Sequence, residues 1–342
     1  AENAAAWDGS VDTSWYNTEA TEFEISTAAQ LAGLSAITNG KADGIKQDNF
    51  FGKTVKLMAD LDLGGVKAAD GTWSGPMWYP IGRSYSNAFA GTFQGNGHKI
   101  SNLYIDGSKD SALNNNLGLF GCLLEDGLIK SVNVVSGQIT STQRSQPEVG
   151  GIVGDNRGVI FACHNGADLY APQRAGGMAG VSQDSKAVIA QCSNSGKITR
   201  TGTDNDGVGG ICGVSNGGRL IINCYNTGTI DLTANKYCGA SGGVVGHLWM
   251  AYHTGYSATV MNCYNAGQIL RPDDPEATIP GGVIALRGNE DLITVKNNYF
   301  LQTETLNQGV KVGEGVTAMS AAQLQAAAPA LSEAFTADTA GV

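Results

Sequence analysis

The chain has 342 residues, 42% of them hydrophobic and only 15% charged, enough to bury a large core in one long domain or two ordinary ones. Glycine numbers 48, about twice its usual share, and proline only 8, which excludes collagen and Pro-rich disorder and points to short strands joined by tight turns. A formal charge of −10, from 31 acids against 21 bases and without a basic cluster, argues against nucleic acid and against an anionic membrane surface; no apolar run is long enough to span a bilayer.

In chain order, AENAAAWDGS carries no signal-peptide pattern and reads as a mature N-terminus or a cut boundary. Residues 1–25 read as an extended lead-in, and 26–53 as a capping helix with its exit. In STAAQLAGLSAI (26–37), Thr27 and Gln30 form a capping box, and Leu31, Leu34 and Ile37 line one face. TVKLMADLDLGG (54–65) and AGTFQGNGHKISNLYI (90–105) read as the first coils of a solenoid, with Asn96-Gly97 as a tight turn. Between them TWSGPMWYPIG (72–82) is a loop carrying Trp73, Trp78 and Tyr79.

A repeat follows. GLFG (118–121), GGIVG (150–154), GGMAG (176–180), GGICG (209–213) and GGVVG (242–246) recur, and GGVIA (281–285) is a decayed copy in which Ala285 replaces the last Gly and puts the last coil's regularity in question. Starting from Leu117, the steps are 33, 26, 33, 33 and 39 residues. Behind the copies lie ACHNGADL (162–169), QCSNSGKI (191–198), NCYNTGTI (223–230) and NCYNAGQI (262–269). Apolar residues alternate with period two, so the repeat is built of strands and not helices, and 26 residues is too short for a propeller blade. It suffices for one turn of a parallel β-helix with two or three short strands. The predicted fold is therefore an all-β parallel β-helix over 54–316, most regular over 117–304, with a helical cap over 317–342. SAAQLQAAAPAL (320–331) supplies that cap, its capping box made by Ser320 and Gln323. The ending FTADTAGV has no finishing element and reads as a fragment of a longer protein.

Stacking of equivalent strands explains why Cys-x-Asn recurs. Cys163, Cys192, Cys224 and Cys263 are expected to form an inward ladder of small apolar side chains. Asn165, Asn194, Asn226 and Asn265 are expected at the adjoining corner, in left-handed backbone, bonding from rung to rung, with Gly166, Gly196, Gly228 and Gly267 relieving the turn. Cys122, Cys212 and Cys238 read as further core fillers rather than as a redox or metal site.

FFGKTVKLMADLDLGG, YPIGRSYSNAFAGTFQGNGHKISNLYI, GLFG and the GGIVG-type copies together resemble the GLUG-motif surface proteins of bacteria, over roughly residues 23–335. The resemblance implies a right-handed parallel β-helix in an exported, surface-associated protein. It implies no catalytic residues.

Candidate sites remain. The Gly246-to-Cys263 interval is about five residues longer than its equivalents, and this insertion, HLWMAYHTGY (247–256), carries Trp249, Tyr252, His253 and Tyr256. Such aromatic platforms on solenoid loops stack on sugars or anchor partner proteins; the plainer reading is a loop covering its own apolar surface. Weaker catalytic candidates are Asp204 and Asp206, Asp155 and Arg157, and Asp184 with Lys186, expected at different corners of the coil and equally readable as polar turns. Asp204 and Asp206 could hold Ca²⁺, although the downstream Glu of a full loop is missing; no Zn pattern involves the four histidines, so no cofactor is otherwise expected. The sequence reading is a non-catalytic, extracellular β-helix module binding glycan or a host surface protein. A carbohydrate-active enzyme and a pure spacer are the alternatives. No nucleic acid, no membrane insertion and a monomer are expected.

Overall fold

The computed structural model describes residues 4–113, 115–203, 206–249, 257–287, 290–302 and 309–331. It is a parallel β-helix, as the repeat predicts. Each regular turn lays down five short strands rather than two or three. One turn runs Val149–Gly150, Val153–Asn156, Val159–Phe161, His164–Asn165 and Asp168–Ala171. Each pairs in parallel with its equivalent one turn on, as in Val149↔Ala175, Val153↔Ala179, Val159↔Val188, His164↔Ser193 and Leu169↔Ile198. Repetition builds two nine-stranded, two six-stranded and one four-stranded sheets; a small antiparallel hairpin, Val66–Lys67 with Trp73–Ser74, stands apart.

The interior is filled by columns of equivalent residues. Phe93, Ile129, Ile160, Ile189, Ile221 and Val260 form one column, each at most 2% exposed. Burying each such side chain contributes about 1.5–3 kcal/mol. The four cysteines form a second column, each fully buried or nearly so, and their Sγ atoms donate to carbonyls two residues back, at 3.3 Å for Cys163 to Phe161 and Cys224 to Ile222.

The asparagines stack too, but not in left-handed backbone. That conformation belongs to the residue before each Cys: Ala162, Gln191, Asn223 and Asn262, with φ between 52° and 55°. The corner between two sheets falls there, so Ala162 and Gln191 each carry the αL penalty of about 1–2 kcal/mol. Asn165, Asn194, Asn226 and Asn265 lie on strands with their amides buried. Asn165 Nδ2 donates to Asn194 Oδ1, Asn194 to Asn226 and Asn226 to Asn265, each at 2.8 Å. Each also donates to the carbonyl two residues on. The residue at that position is Ala167, Gly196, Gly228 or Gly267, so Gly166 is one place out of register.

The second Gly of four Gly-Gly pairs, Gly151, Gly177, Gly210 and Gly243, serves this ladder, while Gly282 of the last pair faces Phe300. A Cβ on Gly177 would lie 2.5 Å from the Asn194 side chain, and one on Gly243 at 2.5 Å from Asn265. The two motifs of the repeat are thus two halves of one contact. Ala285 does not break the last coil, because its strand still pairs Val245↔Ile284 and His247↔Leu286.

At the N-terminal end, α1 (Ala28–Thr38) has the expected capping box, Thr27 with Gln30. It is buried on nearly every side, not one, because the lead-in crosses over it: Asp12 N–H donates to Ala29 O at 2.9 Å, and any Cβ on Gly33 would overlap the Asp12 carbonyl. The lead-in also supplies the first strand, Glu22–Ile25, paired with Thr54–Leu57. At the other end α2 (Ala321–Leu331) has its Ser320–Gln323 box. Most of its described side chains are exposed, with Leu324 and Ala327 half-buried, so it covers less of its end than α1 does.

Candidate functional site on the glycine-strand face

One sheet contains the strands that follow the Gly-Gly bends: Phe120–Leu123, Val153–Asn156, Ala179–Gln183, Cys212–Asn216, Val245–Trp249 and Ile284–Arg287. Val153, Ala179, Cys212 and Val245 are buried in the core and so, three residues on, are Asn156, Ser182, Ser215 and Leu248, so the two-residue alternation is broken at the intervening Gly154, Gly180, Gly213 and Gly246, which the register skips. Two columns occupy the opposite side. Asp155, Val181, Val214 and His247 are in register in one, and Gln183, Asn216 and Trp249 in the other. His247 and Trp249, two residues apart on one strand, stack at 5.2 Å with planes 11° apart.

Beside these columns the residues just ahead of the Gly-Gly strands come together, one per turn. Arg174 donates from Nε to Asp206 Oδ2 at 2.5 Å, and its Nη1 is 3.7 Å from Glu148 Oε1. His247 Nδ1 is 3.7 Å from Asp206 Oδ1. Asp155 pairs with Arg157 Nε at 3.1 Å and accepts from Gln183 Nε2 at 2.8 Å. The Arg157 guanidinium covers the ring of Tyr85 at 4.5 Å.

The carboxyls differ in their proton affinity. Burial, reinforced by the charge of Asp155, pushes Glu148 up to about 7 against the pull of Arg174. Burial also raises Asp155 despite Arg157. Burial disfavours the ionised form of Asp206 as well, but His247 and Arg174 outweigh it and hold that carboxyl well below the usual range. Arg174 is committed to the nearer partner, which is why Glu148 and Asp206 shift in opposite directions.

Asp155, Arg157 and Asp206 therefore share one face, instead of the different corners expected, because the Gly-Gly bend folds the preceding corner back over the following strand. Asp184 joins them, its charge reaching Asp155 and Arg157. Lys186 pairs instead with Asp126, at an exposed position. Asp206 commits both oxygens, Oδ2 to Arg174 and Oδ1 to the Gly207 N–H at 2.9 Å, so a Ca²⁺ ion at Asp204/Asp206 would have to displace Arg174. Asp204 lies outside the described residues, as do Tyr252, His253 and Tyr256; Trp249 is half-buried. Glu148 and Arg174 were not singled out in the sequence, and their one signal is a charge just ahead of the Gly-Gly strand in QPEVGG and QRAGG. Among the described residues no His/Cys/Asp/Glu cluster suited to a metal occurs, and no helix is long and apolar enough to cross a membrane.

A parallel β-helix with a half-buried aromatic pair and a largely buried cluster of charged side chains along one sheet is the class that fold and site define. No family model matches the chain. It is 30% identical over 174 residues, 51% of its length, to Halomucin of Haloquadratum walsbyi, and 30% identical over 153 residues, 45% of its length, to a provisionally named Gly-rich membrane protein of Evansella cellulosilytica. These matches span only 2% and 15% of those relatives. A crystal structure provisionally described as an immunoglobulin A1 protease from Bacteroides ovatus superposes with a TM-score of 0.65 at 20% identity, covering 90% of this chain and 87% of the other, a likeness of fold.

Proposed function

We propose that the protein is a non-catalytic, GLUG-type β-helix module of an exported or cell-surface protein, and that it binds saccharide on the glycine-strand face. The observation that carries this reading is the His247–Trp249 aromatic pair standing in register with the amides of Asn216 one turn back and Gln183 two turns back, with the Asp206 carboxylate 3.7 Å from His247. An aromatic plane flanked by amide and carboxylate hydrogen-bonding groups offers both the stacking surface and the polar contacts a sugar ring needs. The names of Halomucin and of the Gly-rich membrane protein support a surface setting. The test is a glycan-array and host-matrix screen of the wild type beside Trp249→Ala. A hit lost in the variant supports the reading, and silence from the wild type overturns it in favour of a spacer.

A carbohydrate-active enzyme is the second reading, favoured by Glu148 and Asp206, two carboxyls joined through Arg174 with opposite proton affinities. Turnover of any polysaccharide in a broad panel, abolished by Glu148→Gln, would replace the first reading with this one.

A further inference from the structure

A cleft of about 900 Å³ opens at the N-terminal end of the solenoid and shares no residue with the glycine-strand face. Ala32 and Ala36 of α1, Trp7 of the lead-in, and Met77 and Tyr79 of the 72–82 loop line it, and Trp7 packs edge-on against Trp78 with ring centres 5.7 Å apart. In that loop Trp78 packs inward, 1% exposed with its Nε1 donating to Leu119 O at 3.0 Å. Tyr79 does not, since 41% of it is exposed.

The cleft is preformed. Ser35 Oγ donates to Tyr79 O at 2.7 Å, Asn39 Nδ2 donates to Pro80 O at 2.9 Å, and Asn39 Oδ1 accepts from the Arg83 N–H at 2.9 Å, so helix and loop are clamped together. The Tyr79 hydroxyl donates to Asp110 at 2.9 Å, which fixes the ring. Arg83 stands 5.6 Å from that ring's centre and spends one N–H on Ala112 O at 2.5 Å. Lys41 is exposed at the mouth. Neither cation has an ion pair within 4.0 Å among the described residues; Asp43 is the one acid lining the cleft, and Asp110 stands just outside it. Two cations thus face two acids around an exposed aromatic ring, and the guanidinium of Arg83 lies on the ring without a carboxylate bonded to it.

We infer that the cleft binds an acidic saccharide, with the sugar against Tyr79 and its carboxylate on Arg83, Lys41 adding charge at the mouth. A guanidinium matches a carboxylate in geometry as well as charge, and a phenol ring offers the apolar face of a sugar its complement. A neutral sugar would offer Arg83 no carboxylate to add to its bond with Ala112 O, so the acidic ligand is the one that binds more tightly.

The experiment is a titration of the full chain with uronate- and sialate-terminated oligosaccharides and with their neutral counterparts. It is run on the wild type, Arg83→Gln, Tyr79→Ala and, as the other face's control, Trp249→Ala. Saturable binding of an acidic oligosaccharide, weakened about tenfold or more in Arg83→Gln and by added salt but unchanged in Trp249→Ala, is the expected result. Absence of saturable binding, equal affinity for the neutral sugars, or full affinity in Arg83→Gln would overturn the inference. Loss in Trp249→Ala alone would overturn it too while leaving the glycine-strand site standing. Should Tyr79→Ala fail to fold, Arg83→Gln decides, because it keeps the backbone N–H that Asn39 binds.

Discussion

Asn226→Ala tests whether the amide ladder stabilises the coil. Asn226 is 0% exposed and makes four hydrogen bonds. Its Nδ2 donates to Gly228 O at 2.9 Å and to Asn265 Oδ1 at 2.8 Å, and its Oδ1 accepts from Asn194 Nδ2 at 2.8 Å and from Gly228 N–H at 3.2 Å. At about 1 kcal/mol net per bond the four contribute about 4 kcal/mol. The neighbours soften the loss, because Asn194 keeps Gly196 O and Asn265 keeps the Gly267 N–H. The void left by the carboxamide works the other way, so the expected cost is about 3–5 kcal/mol. In a solenoid each turn leans on its neighbours, so the loss should centre on the turns carrying Asn194, Asn226 and Asn265. Denaturant unfolding gives the total, and hydrogen exchange gives its location. Thr227→Ala, one residue away and exposed, gives up only a 3.3 Å hydroxyl bond to Asn194 O and should cost no more than about 1 kcal/mol. A loss below about 1 kcal/mol in Asn226→Ala would refute the reasoning, since the ladder would then be a by-product of stacking.

Gly243→Ala should cost about 1–3 kcal/mol or more in the same unfolding assay, because its methyl would sit 2.1 Å from the Gly282 carbonyl oxygen and 2.5 Å from the Asn265 side chain; an unchanged midpoint would contradict this close packing of the bend on the next turn and on the ladder. Glu148 binds its proton more tightly folded than unfolded, so the folded state holds more protons between its ordinary range and about 7. Stability should therefore fall as pH rises through that window, and Glu148→Gln should flatten the slope and raise stability above pH 7. Asp206 has the opposite sign: its contribution is present above the ordinary carboxylate range and is lost as pH falls below it. All seven cysteines are free and buried, and burial pushes Cys212 up to about 12. A thiol reagent should label none in the native protein and all seven after unfolding; rapid native labelling would contradict their placement.

Much of the fold is written in the repeat. The period follows from GGxxG and Cys-x-Asn, and inward alternation places the cysteines in the core. What periodicity hides is contact between different corners of the coil. Gly177 makes room for Asn194 across the interior, a relation that neither motif announces alone. Glu148, Arg174 and Asp206 meet because stacking turns distant sequence positions into neighbours. The strand EFEI at 22–25 does show alternation, with Phe23 and Ile25 buried between exposed glutamates, but four residues is too short a pattern to separate from a lead-in. The left-handed corners carry Ser, Ala, Gln or Asn, so no single residue type marks them, and the conspicuous Asn of each repeat drew the corner to the wrong position.

The most direct test of the central claim is hydrogen exchange of the full chain with and without a saccharide selected on the array. The account predicts added protection in Cys212–Asn216 and Val245–Trp249, with none at Ser193–Asn194 on another sheet. Binding that leaves both strands of the glycine-strand face unprotected would contradict it.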